Sequence, residues 1–84
     1  MRKKYEKWVF EALYENDGEA TVLEVAKDIW LNNRKEIEGT EEFYSWSYNF
    51  RWGATALRKK GIMVNAKYSP KGVWQLVEKD KNPR

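Results

Sequence analysis

The chain has 84 residues, of which 42% are hydrophobic, 15% aromatic and 35% charged, a composition that favours one globular domain over a disordered segment. It contains no histidine and no cysteine, which excludes disulfides, zinc sites built on thiolates or imidazoles, and histidine acid–base catalysis. The net charge is +3, and the apolar runs are too short to span a bilayer, so we expect a cytoplasmic protein without a membrane partner.

The start of the chain predicts an amphipathic helix. Five apolar residues recur there at helical spacing and would form one stripe. They are Tyr5, Trp8, Val9, Ala12 and Leu13. The first helix is therefore expected over about residues 2–15, and the turn-forming sequence Asn16-Asp17-Gly18 should end it. Residues 19–20 could add a short strand.

A second helix is indicated by its N-terminal signal. Thr21 and Glu24 form the T-x-x-E pattern of a capping box, in which each side chain bonds to the other residue's backbone amide. We expect this helix over about residues 22–31. Residues 32–42 are polar and include Gly39, so they predict a loop.

The third predicted helix runs from residue 43 or 45 to residue 60, and Gly61 has the position of a C-terminal stop. Its apolar face would combine Trp46, Phe50, Gly53 and Leu57. A glycine on that face would allow close approach to another helix.

Two strands are predicted to close the chain, over residues 62–66 and 73–77, as a β-hairpin. Between them, Ser69-Pro70-Lys71-Gly72 matches a type I turn, with proline second and glycine fourth. The predicted fold class is therefore α+β, with three helices followed by a two-stranded hairpin.

This order of elements resembles the winged helix-turn-helix superfamily of DNA-binding domains, over about residues 5–78. The most specific part of the resemblance is the run A-L-R-K-K-G-I at residues 56–62, followed by G-V-W-Q-L at residues 72–76. Both are similar to the helix–wing junction of small bacterial and archaeal members. The resemblance implies a winged-helix domain over residues 1–78, and the charged, linker-like composition of residues 79–84 predicts a disordered tail. The resemblance also implies that the third helix enters the major groove and the wing contacts backbone or minor groove.

Charge is distributed as such a binding surface requires. Residues 1–42 carry 7 basic and 11 acidic side chains, whereas residues 43–84 carry 9 and 2. No acid occurs from Phe43 to Val77, where six cations stand, and this pattern is typical of a phosphate-binding surface.

The resemblance also implies which residues meet DNA. Base-reading positions fall on the outward face of the third helix, at Ser47, Tyr48, Arg51, Trp52 and Thr55. Backbone contacts are expected from Arg58, Lys59, Lys67, Tyr68 and Lys71. Arg51 is the main candidate for specificity, because arginine can bond both major-groove acceptors of guanine.

The aromatic residues divide into two groups. Their phases predict core positions for Trp8, Trp30, Trp46 and Trp74. Tyr48 and Trp52 point outward, and would either contact DNA or pack beneath the loop predicted at 32–42.

We therefore expect a transcription regulator that binds double-stranded DNA as a monomer or weak homodimer. It should have no enzymatic activity, cofactor, metal or small-molecule ligand. The clustered acids Glu36, Glu38, Glu41 and Glu42 are interpreted as solvated. Two alternatives stay open. One is a protein–protein interaction module anchored by Tyr48 and Trp52. The other is single-stranded nucleic acid binding through base stacking.

Overall fold

A computed structural model describes residues 3–77, and this part of the chain is an α+β structure of three helices and a two-stranded antiparallel sheet. In chain order the elements are α1 (Lys3–Glu15), β1 (Glu19–Thr21), α2 (Val22–Glu38), α3 (Trp46–Lys59) and β2 (Val73–Gln75), with short 3-10 helices at Glu41–Tyr44 and Ala66–Tyr68. The predicted fold class is confirmed at this level. The predicted tail at 79–84, and residues 2 and 78 at the predicted boundaries, lie outside the described residues. None of the three helices is long and apolar enough to cross a membrane.

Helix α1 matches its prediction, and all five residues of its apolar stripe are buried. The turn that follows ends it as a Schellman motif. Asp17 and Gly18 adopt positive φ angles of 62° and 89°. The amide of Gly18 donates to the carbonyl oxygen of Leu13 (2.7 Å), and that of Asp17 donates to Tyr14 (3.2 Å). The chain then enters β1, so the predicted short strand is also confirmed.

Helix α2 starts at the predicted capping box. The Glu24 amide donates to Thr21 Oγ1 (3.1 Å), and the Thr21 amide donates to Glu24 Oε1 (2.8 Å). The helix then continues to Glu38, so the loop predicted over residues 32–42 is wrong for residues 32–38; Gly39 and Thr40 form a short connection to a 3-10 helix. It is kinked at Asn33 (φ −128°), whose side-chain amide donates to the carbonyl oxygen of Ile29 (3.0 Å). Ile37, which is fully buried, anchors the extension to the core.

Helix α3 ends where the sequence predicts. Gly61 takes a φ angle of +77°, and its amide donates to the carbonyl oxygen of Arg58 (3.0 Å). The Ile62 amide donates to Leu57 (2.9 Å), which completes a second Schellman motif. Because Phe50, Gly53 and Leu57 are buried, the opposite face of α3 is left at the surface.

The predicted approach of another helix to Gly53 is confirmed, and the other helix is α1. A Cβ atom added at Gly53 would lie 2.5 Å from the carbonyl carbon of Tyr5 and 2.8 Å from the amide nitrogen of Glu6. The two helix backbones therefore meet at this residue, which fixes how α3 lies across the core.

The sheet differs from the predicted hairpin. Strand β2 pairs with β1, with Ala20 opposite Trp74. On the other edge of β2, the predicted strand over 62–66 is reduced to one antiparallel bridge between Met63 and Leu76. Successive amides alternate between the two neighbours, since Leu76 donates to Gly18 (2.8 Å) and Val77 to Ile62 (2.8 Å). Residues 72–77 are therefore the middle segment of this arrangement.

The connection before β2 also differs from the type I turn predicted at Ser69-Pro70-Lys71-Gly72. Its hydrogen bond runs from the Val73 amide to the carbonyl oxygen of Pro70 (3.1 Å), so the turn is shifted by one residue. Gly72 then stands third with a φ angle of +76°, a conformation that glycine adopts without steric cost.

Two of the four tryptophans predicted for the core are buried within it, Trp8 and Trp74. Trp30 and Trp46 are half-buried and pack against the edge of the core. Their rings stack on each other, with centroids 5.7 Å apart and planes 16° from parallel. Phe43 adds a third ring to this edge cluster, 6.1 Å from Trp30.

Tyr5 places a titratable group in the interface between α1 and α3. Its side chain is buried. Glu42 and Asn49 lie near its hydroxyl, but the hydroxyl has no hydrogen-bond partner among the described residues. Burial raises the pKa of Tyr5 from 10.0 to about 12, and the Glu42 carboxylate adds to the rise because it repels a phenolate.

The raised pKa of Tyr5 predicts a loss of stability at alkaline pH. Below pH 10 the phenol is protonated in both the folded and the unfolded chain, so the contribution of Tyr5 to the free energy of unfolding is fully present. Between pH 10 and 12 only the unfolded chain releases the proton, and the free energy of unfolding should fall by up to about 1.4 kcal/mol per pH unit. Urea denaturation across this range would measure the slope. Tyr5→Phe should be less pH-dependent there, and an unchanged slope in this variant would contradict the assignment.

Candidate nucleic-acid interface

The outward face of α3 carries the predicted base-reading residues side by side. Tyr48, Arg51, Trp52 and Thr55 line one shallow depression of about 170 Å³. Ser47 is exposed near the start of the same helix. The N-cap residue Ser45 does not cap the helix with its side chain; its hydroxyl accepts a bond from the Asn49 side chain (3.2 Å). Four of the five predicted residues therefore share one depression, and Ser47 does not line it.

Tyr48 and Trp52 lie at the surface of α3 rather than in the core. Tyr48 is 68% exposed and Trp52 is 39% exposed, and both border the depression on α3. The residues predicted as a loop roof form the end of α2 and a 3-10 helix. Of the two predicted positions for these rings, the structure has the surface one.

Arg58 is held by the fold rather than extended into solvent. Its Nε donates to the carbonyl oxygen of Val64 (3.4 Å), and its guanidinium lies 5.7 Å from the ring centre of Trp74. Burial lowers the pKa of Arg58 from its usual value. This side chain therefore joins α3 to the segment before the wing, and its positive charge is only partly presented at the surface.

The remaining predicted backbone contacts are exposed. Lys59 lines a second depression of about 240 Å³, which shares Trp52 and Thr55 with the first. Lys67, Tyr68 and Lys71 are exposed in the segment 65–72, which we call the wing. Asn65 shapes its start, because Asn65 Oδ1 accepts a bond from the Lys67 amide (2.9 Å).

Sequence reasoning missed Lys3. The packing of α1 against α3 places this residue on the second depression, with Trp52 and Lys59. The available signal was the basic start of the chain, but only the folded arrangement shows that it adjoins α3. Lys3 adds a cation of α1 beside the α3 surface, where Glu6, the ion-pair partner of Lys60, lines the same depression.

Other charges near this surface are paired. Lys60 forms an ion pair with Glu6 across the α1–α3 interface, and Lys4 pairs with Glu42. The four clustered glutamates, Glu36, Glu38, Glu41 and Glu42, belong to no group of residues within 3–77 that could hold a metal ion. Arg51, Lys59, Lys67 and Lys71 form no ion pair with an acid in the described part of the chain.

In comparisons with known proteins, no family model, no curated protein and no solved structure matches this chain. The functional argument therefore rests on the geometry and charge of the α3 face and the wing.

Proposed function

We propose that the protein binds double-stranded DNA as a cytoplasmic transcription regulator, acting as a monomer or weak homodimer. Helix α3 would enter the major groove, and the wing would lie on the backbone or minor groove. The observation that carries the proposal is the exposed, acid-free face of α3, where Arg51 lines one depression with Tyr48 and Trp52. An α-helix fits the major groove, and an exposed arginine there can bond guanine at two points.

The layout of the chain supports this proposal. Three helices and a small antiparallel sheet are compatible with a winged-helix-like arrangement. Exposed cations occur on both elements that would touch DNA, Arg51 and Lys59 on α3, and Lys67 and Lys71 on the wing. Each cation that neutralises a phosphate releases a counterion, so binding should weaken steeply as salt rises.

Substitutions on the two elements should have different effects. Arg51→Ala should weaken binding to a preferred sequence by about 1–3 kcal/mol and relax specificity, because a base contact is lost. Lys67→Ala should weaken binding equally for all sequences and reduce the slope of log affinity against log salt by about one. Fluorescence anisotropy with labelled duplexes selected from a random pool would measure both effects.

Lys35→Ala is the matched control, because this exposed lysine lies beside Trp8 and Thr40, away from the α3 depression. It removes the same charge and should leave the salt slope close to that of the parent. A proton–nitrogen NMR titration would locate the face, with shifts expected in residues 44–59 and 66–73. Absence of binding to any duplex at low salt would refute the proposal.

The exposed aromatic rings favour a second candidate, a protein–protein interaction module. Tyr44 is 87% exposed and Tyr48 is 68% exposed, and such rings are common anchors of protein interfaces. Binding through them would depend weakly on salt, whereas DNA binding depends on it steeply. The salt titration therefore separates the two candidates.

A further inference from the structure

The depression on α3 combines an apolar surface with a single charge. Its four lining residues stand at positions i, i+3, i+4 and i+7, which places them on one face of the helix. Tyr48 and Trp52 contribute aromatic rings, and Arg51 contributes the charge. The Thr55 hydroxyl bonds to the carbonyl oxygen of Arg51 (3.3 Å), so Thr55 offers mainly its methyl group to a ligand.

If α3 lies in the major groove, the apolar character of the depression limits which groups of the DNA it can bind. Base edges in that groove are donors and acceptors, with one apolar exception, the C5-methyl group of thymine. The same carbon carries the methyl group of 5-methylcytosine. Contact between two apolar surfaces is favourable because it removes both from water. The C5-methyl group is therefore the feature of the groove that suits the depression.

We propose that the depression reads a guanine next to a 5-methylpyrimidine. Arg51 bonds the two acceptors of the guanine, and Tyr48 and Trp52 enclose the C5-methyl group of the adjacent base. This inference rests on the proposed function, because it requires α3 to lie in the major groove. It adds the chemical class of the target, a methylated pyrimidine beside guanine.

Arg51 and Trp52 also have neighbours outside the depression. The Arg51 guanidinium lies 5.6 Å from the ring centre of Phe50, a buried core residue. Trp52 also lines the second depression, together with Lys3, Ala56 and Lys59.

Alternating duplexes test the inference without knowledge of the full target, because they repeat the same step every two base pairs. The first pair is an alternating T-G duplex and its counterpart with uracil in place of thymine. The second pair is an alternating C-G duplex with and without methylation at cytosine C5. Anisotropy at constant salt should show about fourfold tighter binding to the methylated member of each pair, as burial of one CH₂-sized group yields.

The two pairs distinguish the sources of the methyl group. Preference in both pairs supports reading of the methyl itself. Preference in one pair alone supports the inference and assigns the base, because thymine and cytosine also differ at the exocyclic group on C4.

Variants show whether the depression causes the preference. Trp52→Ala and Tyr48→Ala should each bind methylated and unmethylated duplexes equally, whereas Lys67→Ala should keep the fourfold ratio at lower overall affinity. Circular dichroism would verify that each variant is folded. If Trp52→Ala does not fold, Tyr48→Ala alone shows whether the depression causes the preference.

Three results would overturn the inference. Equal binding of the parent to both members of each pair would refute methyl reading and leave DNA binding intact. Preference for single strands over every duplex would replace it with base stacking on Tyr48 and Trp52. Failure to bind any duplex would refute the proposed function as well.

Discussion

Gly53→Ala is expected to lower the free energy of unfolding by at least about 2 kcal/mol, although alanine is the better helix former. The added methyl group would collide with the Tyr5 carbonyl and the Glu6 amide, which are backbone atoms of α1. A side chain could rotate away, but here the two helices must separate. Overpacking of this kind costs about 3 kcal/mol, and the gain in helix propensity offsets about 1 kcal/mol. The melting temperature should fall by about 8–16 °C.

Gly39→Ala is the matched control. Gly39 ends α2 with a φ angle of −86°, and an added Cβ would meet nothing closer than the Lys35 carbonyl oxygen at 3.6 Å. This variant should be neutral or more stable by up to about 1 kcal/mol. If Gly53→Ala were as stable as Gly39→Ala in urea denaturation, α1 and α3 would not cross as closely as described.

Features set by local chemistry could be predicted from the sequence. The capping box at Thr21 and Glu24 involves groups three residues apart, and both bonds form as expected. The stop at Gly61 likewise follows from a conformation that glycine adopts easily. The surface of α3 could be predicted for a related reason, because helical spacing alone decides which residues share a face.

The extension of α2 could not be predicted from periodicity. Residues 32–38 are polar except for Ile37, so the segment has no apolar stripe. Its helix depends on burial of Ile37, eight residues after the buried Ile29, and the exposed ion pair of Arg34 with Glu38 one turn away (3.0 Å) adds only a little. A single buried residue is visible only once the core that receives it is known.

The pairing of strands that are distant in the chain could not be predicted from the sequence pattern either. Strand β1 has only three residues, and its partner lies more than 50 residues later, where Gln75 bonds to the Glu19 side chain (3.0 Å). The placement of Arg58 follows from the same topology. Its charge was expected to face DNA, but the chain after Gly61 turns back and brings Val64 and Trp74 against it.

Trp74→Ala is expected to have a still larger effect, because Trp74 connects the sheet, the core and the proposed interface. It is the middle residue of β2, and its ring lies 5.7 Å from that of Phe50 on α3. Removing a large buried aromatic side chain costs about 3–5 kcal/mol. Domains of this size have only about 5–15 kcal/mol in total. The melting temperature should therefore fall by at least about 12 °C, as measured by circular dichroism.

Trp52→Ala provides the same substitution at the surface of α3. More than a third of Trp52 is exposed, so this variant should lose much less stability while losing the discrimination for methylated pyrimidines. Trp74→Ala should behave in the opposite way under conditions where it is still folded. It would free the Arg58 guanidinium from the ring beneath it and add a cation to the surface, so its affinity for DNA should be retained. Equal stability losses in the two variants would mean that Trp52 belongs to the core, and the α3 face would then lack the aromatic half of its proposed site.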